Sequence, residues 1–122
     1  MLVVAYDNET LRAYDWKKQS FDLTTELPGS SSADLKVSCQ PDHPNNFVVS
    51  WTDVNETTPI LSFYEISADH SAVNLLMEIH LKDYNETQSM TVITDITYEN
   101  INPSTIYFVG DSSHIFMLNT TS

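Results

Sequence analysis

The sequence predicts an all-β fold, and three observations carry that reading. Only two glycines occur in the 122 residues, no long stretch repeats with the helical period of about 3.6, and short runs rich in Val, Ile, Tyr, Phe and Thr recur between polar turns every 8 to 14 residues. Side chains of these types fill a pleated, half-buried surface. One domain is expected at this length, and an apolar fraction of 41% suffices to build its core.

Ten strands follow in order. Leu2 to Tyr6 and Leu11 to Trp16 flank a turn opened by Asp7, and Ser20 to Leu27 comes next. The stretch Leu27-Pro-Gly-Ser-Ser-Ser-Ala-Asp34 is polar and helix-breaking and reads as a loop between sheets, not a domain boundary. Leu35 to Cys39 is followed by Pro41, and then Asn46 to Trp51 and Ile60 to Ile66 flank a turn opened by Asp53. Asn74 to Leu81 is the one contestable segment. Val73, Leu75, Leu76, Met77 and Ile79 could make two helical turns, but the alternation of Leu75, Met77, Ile79 and Leu81 favours a strand. Met90 to Tyr98 precedes Pro103, and Thr105 to Val109 and His114 to Leu118 flank a turn at Asp111.

The chain repeats itself loosely. Val3-Val-Ala-Tyr-Asp7 with Leu11-Arg-Ala-Tyr-Asp15-Trp is matched by Phe47-Val-Val-Ser-Trp-Thr-Asp53 with Ile60-Leu-Ser-Phe-Tyr-Glu65-Ile, and again by Ile106-Tyr-Phe-Val-Gly-Asp111 with His114-Ile-Phe-Met-Leu-Asn119. Each copy is an apolar strand, a turn opened by Asp, and a second strand closing on an aromatic or aliphatic residue plus an acid or amide.

These residues resemble the WD-repeat β-propeller family, whose blade is a four-stranded antiparallel meander with a proline or turn after the first strand, Asp in the middle hairpin and Trp-Asp closing the third strand. The resemblance is degenerate but covers essentially the whole chain as about two and a half blades: a partial blade over residues 1–27, a full blade over 34–81 and a partial blade over 90–119. Tyr14-Asp15 and Tyr64-Glu65 stand at the closing dipeptide, and Asp7, Asp53 and Asp111 at the hairpin aspartate. No Gly-His pair precedes a first strand and no Trp-Asp dipeptide exists, so the family's complete His, Ser or Thr, Asp and Trp network is not expected. Closing a propeller takes at least four blades of about 40 residues, so the resemblance implies an incomplete ring, completed by more chain or by another chain. A second resemblance is to the fibronectin type III sandwich, through Ile101-Asn-Pro103-Ser-Thr105-Ile-Tyr107 and Trp51. It leaves the first hairpin, which looks like the later ones, unexplained.

Charge narrows the function. Five Lys and Arg against 17 Asp and Glu give −12, and residues 37 to 122 hold only Lys82 against eleven acids. Nucleic acid and anionic membranes are excluded as partners, because both need a basic surface. Two glycines cannot build a phosphate-binding loop, and no small-molecule substrate is evident. His43, His70, His80 and His114 lie at least ten residues apart, outside metal-ligand spacings, and read as solvated or strand-end histidines. Asp53, Asn55, Glu56 and Asp111 lack the spacing of a calcium loop. No metal and no cofactor are expected. Asp7, Asp53 and Asp111 read as turn residues that accept backbone N–H bonds, not as catalytic acids. Cys39, the single cysteine, reads as an inert buried thiol and excludes an internal disulfide.

The expected function is therefore a non-catalytic protein–protein interaction scaffold, one part of a larger propeller-like assembly, since the resemblance implies a rigid platform whose rim loops bind other proteins. Its contact surface is expected in the loops Thr52 to Thr58, Ala68 to Val73 and Asp83 to Gln88, which would present Asp53, Glu56, Asp69, Asp83 and Glu86 to a basic partner. The alternative is that these acids only solubilise the surface. One thiol, an early acid at Asp7 in place of a signal peptide and no membrane span point to a cytoplasmic protein, with the cytoskeleton as one setting. Four Asn-x-Thr sites, at Asn8, Asn55, Asn85 and Asn119, support instead a secreted or cell-surface adhesion or receptor module of the fibronectin type III kind, carrying N-linked glycans.

Overall fold

The computed structural model describes residues 3–7, 9–15, 20–27, 35–53, 55–69, 71–102, 104–111 and 114–120. It is all-β, with ten strands: β1 (Val3–Asp7), β2 (Thr10–Asp15), β3 (Ser20–Glu26), β4 (Lys36–Gln40), β5 (His43–Trp51), β6 (Ile60–Ile66), β7 (Val73–His80), β8 (Ile93–Tyr98), β9 (Thr105–Gly110) and β10 (Phe116–Asn119). All pairings are antiparallel between neighbours in sequence, and they make three meanders: β1-β2-β3, β4-β5-β6-β7 and β10-β9-β8. The contestable segment is strand β7: it is in register with β6 from Ile60↔His80 to Ile66↔Val73, and its alternation packs Met77 and Ile79 against the second core. The expected inter-sheet loop, from Pro28 to Asp34, lies outside the described residues.

The sheets stack face to face, and two cores result. In one, Leu11, Ala13, Leu23 and Leu27 of the first meander meet Phe47, Val49, Trp51, Ile60, Tyr64 and Ile66 of the second. In the other, Val48, Leu61 and Phe63, from the opposite face of the second sheet, meet Ile93, Ile96, Tyr98, Ile106 and Phe108 of the third. A strand buried on both faces reads as a nearly continuous apolar run, and 47–51 and 60–64 are such runs, each interrupted by one buried serine, Ser50 and Ser62. First strand β4 lies against first strand β8, and last strand β3 against last strand β7. This is the arrangement of consecutive propeller-like blades, and the ring is not closed. All four strands from Lys36 to His80 share one sheet in sequential order, without the Greek-key crossing of a fibronectin-type sandwich.

Two strands begin two or more residues later than expected. Met90 to Val92 is not strand: Met90 is buried and the Thr91 amide is taken by Asp111, so β8 starts at Ile93. Strand β10 begins at Phe116, which stacks on Phe108 with ring centroids 5.4 Å apart.

Candidate functional site

Antiparallel meanders sort the connections into two ends. At one end lie the β1–β2 turn, where Glu9 takes a positive φ of 67°, the 52–59 connection, the 81–92 connection and Asp111. At the other lie the 40–43, 67–72 and 99–104 turns. The first end is tied together by backbone and side chain. Leu81 donates its N–H to Pro59 O at 3.2 Å, and Thr58 Oγ1 donates to Gln88 O at 3.4 Å. A single 3₁₀ turn, Leu81–Asp83, follows β7 and is held by Thr87 Oγ1 donating to Leu81 O at 2.8 Å.

A polar relay runs along one face of the four-stranded sheet into this end. Trp51 Nε1 donates to Ser62 Oγ at 2.9 Å, and Ser62 Oγ donates to Glu78 Oε2 at 3.5 Å. Glu78 Oε1 meets His80 Nε2 at 2.8 Å, His80 Nδ1 meets Glu56 Oε2 at 3.3 Å, and Lys82 Nζ donates to Glu56 Oε1 at 3.1 Å. The spacing follows from the register: Glu78 stands opposite Ser62 and His80 opposite Ile60, so side chains two apart on β7 share a face. The relay opens on a cleft of about 330 Å³ whose walls include Glu26, Leu27, Trp51, Asp53, Tyr64 and Leu75.

Electrostatics bias the relay toward its charged forms. Burial alone would lower the His80 pKa, but hydrogen bonds and charges from Glu78 and Glu56 outweigh it and raise it above the ordinary 6.5. Burial would raise Glu56, but Lys82 and His80 hold its carboxyl below the ordinary 4.5. Both nitrogens of His80 face carboxylates, Nε2 toward Glu78 and Nδ1 toward Glu56. Among the described residues no group of three His, Cys, Asp or Glu side chains is placed to hold a metal ion.

Of the five acids singled out in the sequence, four share one end. Asp53 is half-buried, and its Oδ1 accepts the Asn55 N–H at 2.8 Å, the turn role expected of it. Glu56 is committed to His80 and Lys82, so it is not the freely presented charge the sequence suggested. Asp83 and Glu86 are exposed. Asp69 lies at the opposite end, because the β6–β7 hairpin reverses there. Its Oδ1 accepts Ser67 Oγ at 2.8 Å, Ser71 Oγ at 2.6 Å and Ser71 N–H at 3.1 Å, and Ser71 first, then Ser67, hold its pKa below the ordinary 3.8. Asp111 joins the first end. Its carboxylate accepts both N–H and Oγ1–H of Thr91, which lowers its pKa and ties the β9–β10 turn to the 81–92 connection.

Sequence reading missed Glu78 and His80, although their i, i+2 spacing on an alternating strand was the available signal. It also misplaced Cys39. The thiol residue is exposed, because Val37 and Cys39 share the outer face of β4 while Lys36, Ser38 and Gln40 are half-buried. Partial desolvation still pushes that thiol above its ordinary 9.0. His43 is exposed at the start of β5. Asp7 ends β1 without a described side chain, and Asn8, Trp16 and His70 lie outside the described residues.

No helix among the described residues is long and apolar enough to cross a membrane. No protein-family model matches the chain, and no curated protein matches it.

Proposed function

We propose that the chain is a non-catalytic protein–protein interaction scaffold, one part of a larger propeller-like assembly, and that its acidic loop end receives a basic partner in the cytoplasm. The observation that carries this reading is the convergence of Asp53, Asp83, Glu86 and Asp111 on one end of the stacked sheets, where Lys82 is already paired with Glu56. Charges fixed on a rigid, interlocked loop surface steer encounter and set specificity more than they add affinity. No reaction chemistry is needed for this role, and the WD-repeat resemblance supports it.

The test compares two variants in a pull-down at low and raised salt. Neutralising Asp53, Asp83 and Glu86 together, as Asn, Asn and Gln, should release the partner and remove the salt dependence. Asp69→Asn, at the opposite end, should leave both unchanged. Equal effects from both variants would reduce the acids to a solubilising surface. A second reading, the glycosylated adhesion or receptor module, is favoured by the exposure of Asn55, Asn85 and Asn119 in their Asn-x-Thr sites. A mobility shift of native material on glycosidase treatment would select it.

A further inference from the structure

We infer, resting on the scaffold reading for the existence of a basic partner, that the cleft between the end of β3 and the four-stranded sheet takes an arginine side chain of that partner. Its stem lies on the apolar wall and its guanidinium between carboxylates.

The cleft lies between two sheet faces. Glu26 and Leu27 form one wall, and Trp51, Tyr64, Leu75 and Glu78 the other, around a volume of about 330 Å³. Clefts that hold small ligands begin at about 300 Å³. Register explains the second wall: Ile60 stands opposite both Trp51 and His80, and Ser62 opposite Glu78, so the polar groups of β7 share a face with the indole. Phe116 and Leu118 of β10 pack on the other face of this sheet, against the second core.

The walls select a cation on an apolar stem. Leu27, Trp51, Ile60 and Tyr64 are buried, and Leu75 stands 54% exposed beside them. Tyr64 is fixed by stacking on Phe47, with ring centroids 5.3 Å apart. The indole N–H already goes to Ser62, and both imidazole nitrogens of His80 face carboxylates. Acceptors are left over. Asp53 spends Oδ1 on the Asn55 N–H, and the Glu26 side chain makes no hydrogen bond or ion pair with another described residue. Three wall carboxylates, Glu26, Asp53 and Glu78, stand against the one imidazole of His80, so the field in the cleft is negative. A guanidinium fits this set best, since its flat face stacks on an aromatic wall and its fork of N–H donors reaches two carboxylates at once.

The test titrates the whole chain with Nα-acetyl-arginine methylamide and follows the indole N–H resonance of Trp51, identified by its loss in Trp51→Phe. The resonance should move saturably with ligand. The citrulline analogue, which keeps the shape and drops the charge, should bind about tenfold more weakly, and so should the arginine ligand to Glu26→Gln, the loss expected of one charge-assisted contact. Asp69→Asn removes the same charge from the opposite end and should bind as the parent does. A resonance that does not move, the result of a cleft filled by the chain itself, would overturn the inference. So would equal binding of the citrulline analogue, or a loss in Asp69→Asn equal to that in Glu26→Gln. Salt-dependent capture of a partner alongside any of these three results would remove the arginine anchor and leave the scaffold reading standing.

Discussion

The indole N–H of Trp51 and the hydroxyl of Ser62 meet at 2.9 Å between two adjacent strands, with both residues buried. They are diagonal neighbours, since Trp51 stands opposite Ile60 and Val49 opposite Ser62. Removing the hydroxyl leaves a buried indole N–H without its acceptor, so Ser62→Ala should cost about 1 to 3 kcal/mol in urea unfolding. Ser50 supplies the contrast. Its hydroxyl is equally buried and has no hydrogen-bond partner among the described residues, so Ser50→Ala should be neutral or stabilise by about 1 kcal/mol. Equal losses at the two serines would show that the Trp51 bond does not matter to stability.

The Glu56, His80 and Glu78 cluster gives the fold a pH signature. The His80 pKa is raised, so its contribution is fully present below its unfolded value of about 6.5 and is lost as pH rises through the higher folded value. The Glu56 pKa is lowered, so its contribution is present above about 4.5 and is lost as pH falls through the lower folded value. Melting temperature should therefore be flattest between those ordinary values and decline on the alkaline side. His80→Gln should abolish that alkaline decline. A decline of the same size in the variant would place its origin elsewhere.

At the hairpin aspartates, the losses should follow the number of bonds accepted. Asp53→Ala removes one exposed Asx-turn bond and should cost about 0.5 to 1 kcal/mol, with Asp53→Asn costing less because the amide oxygen still accepts. Asp111→Ala removes bonds from both the amide and the hydroxyl of Thr91 and should lower the urea midpoint further. The Asp111 effect should also vanish in acid, since its pKa is depressed and its contribution is lost as pH falls through that value. The reverse ordering of the two sites would contradict the tether.

Gly110 is required by close approach, not by backbone angle. An added Cβ would fall inside the carbonyl oxygen of Val92 and close to Met90 Sδ. Backbone cannot yield as a flexible side chain can, so Gly110→Ala should cost about 3 kcal/mol. Thermal unfolding of the variant checks this, and a loss below about 0.5 kcal/mol would show that the 90–92 segment moves aside freely.

The strands were legible because each is a compact β-branched or aromatic run between turn residues. Their grouping followed from the hairpin repeat, which recurs in all three sheets. What stayed hidden depends on chain direction and register. Asp53 and Asp69 look alike in sequence, yet one hairpin reversal places them at opposite ends of the molecule. Glu56 and His80 lie 24 residues apart and meet only because Ile60 pairs with His80, which brings the 52–59 connection over the end of β7. Cys39 shows the limit of an apolar-neighbour rule: on an edge strand, alternation decides which residues face out.

The four-stranded sheet is the only one of the three whose two faces both carry a described core, and each flanking sheet packs against it. The molecule is therefore a one-dimensional stack in which stability propagates by nearest-neighbour coupling. Either flanking meander can open while the other core survives, whereas opening β5 and β6 dissolves both. Amide exchange should accordingly be slowest at Val48, Val49 and Leu61, at the level of global unfolding, and faster toward β1 and β10. Because every pairing joins sequence neighbours, the stack can also grow sheet by sheet along the chain, each finished hairpin templating the next.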